Sequence, residues 1–218
     1  ADHAAFSVSA GICVVAFAGM ISGGSFVLRY EDPFGQFYDY QAVSLLEGRL
    51  DVPGPAISGE AMVVEGKNYG YFGITPALLR APFVMAKLAF GSLTRWSMLA
   101  AYVGALLAAY LVLLEATRLA SARRPTAWVT TLFTLGVGLG STLFFLGGRA
   151  FVYHEAIIWG LTLATWSGWC TLRHLAEPHR KWWVASLACG VLAVHARPTS
   201  GLFALTLLGA AAAVLMWR

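Results

Sequence analysis

The sequence predicts an all-α integral membrane protein with about six transmembrane helices and one long polar loop. Three observations carry that expectation. Of 218 residues, 58% are hydrophobic and only 12% charged, against about 45–50% apolar and 25% charged in ordinary soluble domains. The mean hydropathy is +0.67. Seven of the eleven acidic residues, Glu31, Asp32, Asp39, Glu47, Asp51, Glu60 and Glu65, crowd into one interruption at residues 29–95.

The elements follow in order. Residues 4–28 make the first span, since about 20 apolar residues cross a bilayer as a helix. The run is too long for the apolar core of a signal peptide, about 7–15 residues. Gly19 and Gly23 have the spacing that lets a second helix approach closely. Residues 34–47 carry Phe34, Phe37, Ala42, Leu45 and Leu46 at mostly helical spacing, and Gly48 suits a helix stop. A short amphipathic helix lying on the bilayer surface is expected there. Residues 50–59, rich in Pro and Gly, read as loop. Residues 62–64 and 69–72 flank Glu65-Gly66-Lys67-Asn68 as a small hairpin. Residues 75–90 are apolar but interrupted by Pro76, Arg80, Pro82 and Lys87, which suits an interfacial or re-entrant helix. Spans two to six are expected at 96–116, 127–146, 151–172, 182–196 and 201–217, with Gly136 and Gly140 spaced for helix contact in the third. The whole of 1–218 reads as a single transmembrane domain.

Charge sets the orientation. Arg118, Arg123 and Arg124, then Arg173, Arg180 and Lys181, and finally Arg218 all fall on the side of the N-terminus. An excess of Lys and Arg in short loops marks the cytoplasmic side. The loop 29–95 is therefore expected on the external or periplasmic face of a bacterial inner (plasma) membrane. Its six basic residues weigh little, because long loops translocate largely regardless of charge. The net charge of +4 is scattered over span ends rather than gathered in a stripe, which argues against a nucleic-acid partner. Cys13, Cys170 and Cys189 lie in apolar runs without a CxxC pair, which argues against a disulfide framework or zinc site.

Four stretches, in this order, carry a family resemblance: YDYQAVSLLEGRLDVP at 38–53, GKNYGYFGITPALLRAP at 66–82, Tyr153-His154-Glu155, and GVLAVHARPTS at 190–200. Together with the long loop after the first span, they resemble the N-terminal part of GT-C-type membrane glycosyltransferases, which use polyprenyl-phosphate sugars. The resemblance implies a catalytic carboxylate early in that loop, where Asp32 stands with Glu31 beside it and Asp39 behind. Such enzymes usually have at least seven core spans, so the resemblance implies either the N-terminal portion of a longer enzyme or a shortened relative.

The chemistry assigns further roles. A carboxylate takes the proton of an acceptor hydroxyl as it attacks the anomeric carbon. A leaving lipid phosphate favours an arginine able to make paired charge-assisted hydrogen bonds, and Arg197 and Arg149 stand at outer span ends. His154 and Glu155, ionisable residues at the start of a span, are expected to face protein or water. They are read as sugar-binding, with a divalent ion as the lesser alternative, since two adjacent residues do not make a metal site. Tyr69, with Tyr71 and Phe72, is a candidate wall of the sugar cleft. Glu115 and Arg118 are spaced as an i,i+3 pair. No cofactor is required on this reading. The partners are a polyprenyl-phosphate sugar, a glycan, lipid or protein acceptor, and membrane lipids. The rival reading is a non-catalytic subunit of a larger membrane complex, with His154 or His195 available to ligate a haem or chlorin. A secondary transporter fits less well, because no pair of interrupted helices is evident.

Overall fold

The computed structural model describes residues 2–120 and 124–217, so Arg123 and Arg218 of the charge pattern lie outside the described residues. The chain is all-α apart from one hairpin. Its long helices are α1 (Asp2–Ile21), α5 (Thr94–Leu119), α6 (Ala127–Leu139), α8 (Val152–Ala176), α9 (Arg180–Ala196) and α10 (Pro198–Trp217). Between α1 and α5 lie α2 (Phe37–Leu46), the short α3 (Gly54–Ile57), strands β1 (Met62–Val64) and β2 (Lys67–Tyr69), and α4 (Thr75–Met85). One turn of helix, α7 (Thr142–Phe145), follows α6.

Each of the six expected spans corresponds to a helix or a helix pair. Three of them, α1, α5 and α10, are long and apolar enough to cross a membrane. The bent pair formed by α6 and the segment Thr142–Gly148 makes a fourth if counted as one. Helices α8 and α9 fall short for physical reasons. Glu155 and Arg173 charge the ends of α8 and Trp, Thr, Ser and Gly dilute its middle, while α9 has only 17 residues and opens on Arg180 and Lys181.

Two packed groups form the bundle. In the first, Phe17 of α1 stacks on Tyr102 of α5 with ring centroids 4.1 Å apart, and the Tyr102 hydroxyl donates to the Gly138 carbonyl of α6 at 2.9 Å. A Cβ on Gly138 would lie 2.4 Å from Cys13 Sγ, so this glycine is where α6 meets α1. Gly23 and Gly136 instead face open space, Gly19 faces the Phe26 ring, and Gly140 ends α6. The expected small-residue faces are thus not the ones used. In the second group α8, α9 and α10 pack together. Ser167, Thr171 and Ser186 hydrogen-bond to one another between α8 and α9, at 3.0 and 2.7 Å. At the end of the bundle away from the long loop, Glu115 binds Arg118 at 3.3 Å, as its spacing predicts, and Arg173 at 3.1 Å. All three cysteines are free, with Cys13 and Cys170 buried.

The loop 29–95 folds over the opposite end. Helix α2 is not a flat surface helix. It buries Phe37, Tyr38, Asp39, Gln41, Ala42 and Ser44, and leaves Leu46 exposed. The reason is a partner on α4, described below, that draws Asp39 inward. The hairpin forms, but its turn is the two-residue Glu65-Gly66, with φ +51° and +75°. Positive φ at both central residues belongs to the tight hairpin turn whose twist matches the strands, so β2 starts at Lys67 rather than Tyr69. The segment after the hairpin docks on α9: Thr75 Oγ1 donates to the Leu192 carbonyl at 2.7 Å. Gly73 lies against the end of that helix so closely that a Cβ would sit 2.0 Å from the His195 carbonyl oxygen.

Candidate functional site

The turn after α1 brings Tyr30 and Asp32 together on Arg95. Asp32 is gripped by Arg95 from the start of α5: Arg95 Nε lies 2.9 and 3.2 Å from the two carboxylate oxygens, and Nη2 lies 2.8 Å from Oδ1. Arg95 Nη1 donates to the Val27 carbonyl at 2.7 Å, and its guanidinium lies 4.2 Å over the Tyr30 ring. Both charged side chains are nearly buried, at 7% and 10% exposure. The Asp32 carboxylate is therefore committed to an ion pair, while Glu31 beside it is exposed.

Behind this turn lies a second ionic centre that spacing did not reveal. Arg80 of α4 is buried. Its Nε and Nη2 bind the two oxygens of Glu155 at 3.2 and 2.6 Å, its Nη1 binds the Gly35 carbonyl at 2.9 Å and Asp39 Oδ2 at 3.1 Å, and Nη2 also reaches Thr94 Oγ1 at 2.9 Å. Every N–H of the guanidinium has a partner. Gly91, with φ +79°, turns its own N–H to Asp39 Oδ2 at 2.9 Å. Burial pushes the Asp39 carboxyl above its ordinary range, against the pull of Arg80 and the Gly91 N–H. Burial also weakens the charged form of Arg80, but Glu155 and Asp39 outweigh it and hold the guanidinium above its usual value. Arg197, at the junction of α9 and α10, belongs to the same neighbourhood. Burial raises the nearby Tyr38 hydroxyl, the Glu155 charge adds to that rise, and Arg80 and Arg197 oppose it. Arg80 alone pairs with the two buried carboxylates. A sequence signal existed: a cation within an apolar run is costly unless it faces protein, and Arg80 is such a residue.

Three clefts surround the segment 29–32. The first, about 440 Å³, is lined by Glu31, Asp32, Phe34 and Gln36 among others. The second, about 710 Å³, is lined by Arg29, Glu31, Lys87 and Ser92 with Tyr30 and Phe90. The third is an apolar groove of about 670 Å³ between α4 and α5, walled by Leu79, Phe83, Leu93, Trp96 and Trp159, with Arg29 at one edge and Arg80 at another. Arg29 and Ala89 line both the second cleft and the groove, which makes the two neighbours. Glu31 lines both the first and the second.

The remaining expected site residues are distributed differently. Arg149 and Arg197 line none of these three clefts. Arg149 is exposed, with its guanidinium 4.7 Å over the Phe151 ring. His154 and Glu155 do not act together: His154 Nδ1 lies 2.9 Å from the Arg149 carbonyl, while Glu155 turns to Arg80. Tyr69 pairs with Met62 across the hairpin and lines none of the clefts. Among the described residues, no three His, Cys, Asp or Glu side chains gather as metal ligands would. The positive residues of the clefts, Arg29 and Lys87, and the positioning arginine Arg95 were not singled out by the sequence.

Comparison with protein-family models, with curated proteins and with solved structures gave no match for this chain.

Proposed function

We propose that the chain is the membrane part of a glycosyltransferase that moves a sugar from a polyprenyl-phosphate donor to an acceptor hydroxyl at the external face of a bacterial inner membrane. On this reading the helices form six spans, with the loop 29–95 outside. The observation that carries it is the joining of a cationic cleft to an apolar groove at Arg29, with the exposed Glu31 on the cationic side. That combination suits a ligand with an isoprenoid tail and an anionic head. The tail lies along Phe83, Leu93 and Trp96, and the phosphate meets Arg29 and Lys87, cations that no carboxylate among the described residues pairs with.

The roles then follow from the geometry. The acceptor oxygen attacks the anomeric carbon, the bond from that carbon to the phosphate oxygen breaks, and the phosphate leaves with the electron pair. The acceptor proton passes to a carboxylate. A base must come within about 2.6–3.2 Å of that proton. Glu31 is free to do so, whereas the oxygens of Asp32 are already held by Arg95. Asp32 is accordingly a positioning residue that fixes the turn carrying Glu31. Asp39 and Glu155 serve the fold beneath the site. Arg149 and Arg197 move from the donor phosphate to the periphery.

The test is transfer from radiolabelled polyprenyl-phosphate hexoses in proteoliposomes. Glu31→Gln is expected to lower transfer by about 100-fold or more, the share of a general base. Replacing both Arg29 and Lys87 by Gln is expected to raise the donor KM. Wild-type transfer in both variants would end the reading.

A further inference from the structure

A line of aromatic rings runs from the hairpin end of the loop to the Glu31 cleft. Tyr71 packs on Phe72 with centroids 4.5 Å apart, Phe72 meets Tyr153 edge-on at 4.8 Å, Tyr153 stacks on Phe151 at 5.3 Å, and Phe151 meets Phe34 edge-on at 5.3 Å. Phe34 lines the first cleft. Its backbone is held at φ +59°, a conformation that a bulky side chain rarely adopts and that folds retain mainly where it serves a site.

The exposed end of this line carries three oxygens in a row. The Tyr71 hydroxyl donates to Glu60 Oε2 at 2.8 Å and lies 2.6 Å from the Tyr153 hydroxyl. The two hydroxyls share the Glu60 carboxylate, which both of them hold below its ordinary value. Their lone pairs stay available. Tyr71 is 49% exposed. An aromatic belt in contact with lipid tails gains nothing from a carboxylate at its centre, and an anionic lipid headgroup would be repelled by it. A pyranose fits better on both counts. Its axial C–H face is weakly positive and packs on the negative face of an aromatic ring, while its rim hydroxyls donate to a carboxylate and exchange hydrogen bonds with tyrosyl oxygens.

We infer that the exposed Tyr71–Tyr153–Glu60 end of this line is a saccharide-binding platform, and that its ligand is the sugar acceptor. The word acceptor rests on the proposed transfer reaction; the binding of sugar does not. The full chain in detergent is examined by saturation-transfer NMR against maltotriose, cellotriose and chitotriose. At least one is expected to show transfer to its ring protons, with affinity falling about tenfold in Tyr71→Ala and less in Tyr71→Phe, which keeps the ring. Glu60→Gln is expected to weaken binding without loss of fold, because the side chain lies at the surface. The platform is overturned if none of the three sugars binds, or if Tyr71→Ala and Glu60→Gln both bind as wild type does. Binding that behaves as expected in a protein with no transferase activity keeps the platform and removes the transferase. An unchanged acceptor KM in Tyr71→Ala alongside a dead Glu31→Gln does the reverse.

Discussion

Arg80 and Glu155 form a two-pronged ion pair, 3.2 and 2.6 Å long, with side chains 2% and 0% exposed. It joins α4 to α8 at a point where Asp39 of α2 also meets the guanidinium. Removing one member of a buried pair strands the other as an uncompensated charge, at about 3–5 kcal/mol. Arg80→Met strands two carboxylates and is expected to show the largest fall in thermal stability of any substitution in the loop. Combining it with Asp39→Asn and Glu155→Gln should recover much of the loss, because no buried charge is then left alone. Thermal unfolding in detergent of the single and triple variants checks both statements.

The Asp32–Arg95 clasp is a matter of shape as much as of charge. Lysine keeps the charge of arginine but not the planar fork that binds a carboxylate in two places. Arg95→Lys is expected to cost about 1–3 kcal/mol, the penalty of leaving a buried hydrogen-bonding group partly unmet. Asp32→Asn should reduce transfer by a smaller factor than Glu31→Gln. The ordering of the two in one transfer assay separates base from positioning residue.

Glu60 makes the hairpin sensitive to acid. The Tyr153 and Tyr71 hydroxyls hold its carboxyl below the usual value of 4.5. A depressed carboxyl stabilises the fold above its unfolded value, and that contribution is lost as pH falls through the folded one. The protection of residues 62–72 against hydrogen exchange, corrected for the intrinsic rate at each pH, is therefore expected to hold at neutral pH and to fall below about pH 4.5. In Glu60→Gln the exchange should show no such step.

Gly73 leaves no space for a side chain. A Cβ there would lie 2.0 Å from the His195 carbonyl oxygen and 2.3 Å from that of Ala196, both backbone atoms. Gly73→Ala should push the loop off α9 and cost about 1–3 kcal/mol or more, as overpacking does. Its accompanying sign would be faster proteolysis near Thr75, measured against Gly209→Ala, which meets nothing within 4 Å.

The helices of the bundle were legible because each is a long apolar run, and the Glu115–Arg118 pair was legible because its spacing is local. Hairpin existence was legible from β-branched residues around Glu65-Gly66, while its register depended on a two-residue turn hidden inside a four-residue polar stretch. Asp39 was misplaced for a different reason. The sequence reading set it behind Asp32 as a catalytic carboxylate, whereas the fold draws it inward to Arg80, 41 residues later. The ion pair of Asp32 was hidden likewise, since its partner Arg95 is 63 residues away. Pairings at such separations leave no periodic trace. The helix contacts at Gly138 rather than at the spaced glycine pairs teach the same lesson: spacing marks where helices can approach, and the neighbour decides where they do.

The guanidinium of Arg80 also sets an order of assembly. Its partners Gly35, Asp39 and Thr94 come from the same stretch of chain, but Glu155 is synthesised 75 residues afterwards. Until α8 arrives, the Arg80 guanidinium has Asp39 as a carboxylate partner but lacks the two-pronged contact to Glu155. The loop is thus fastened in two later steps, first by Glu155 of α8 and then by the end of α9 against Gly73 and Thr75, both made long after the loop itself.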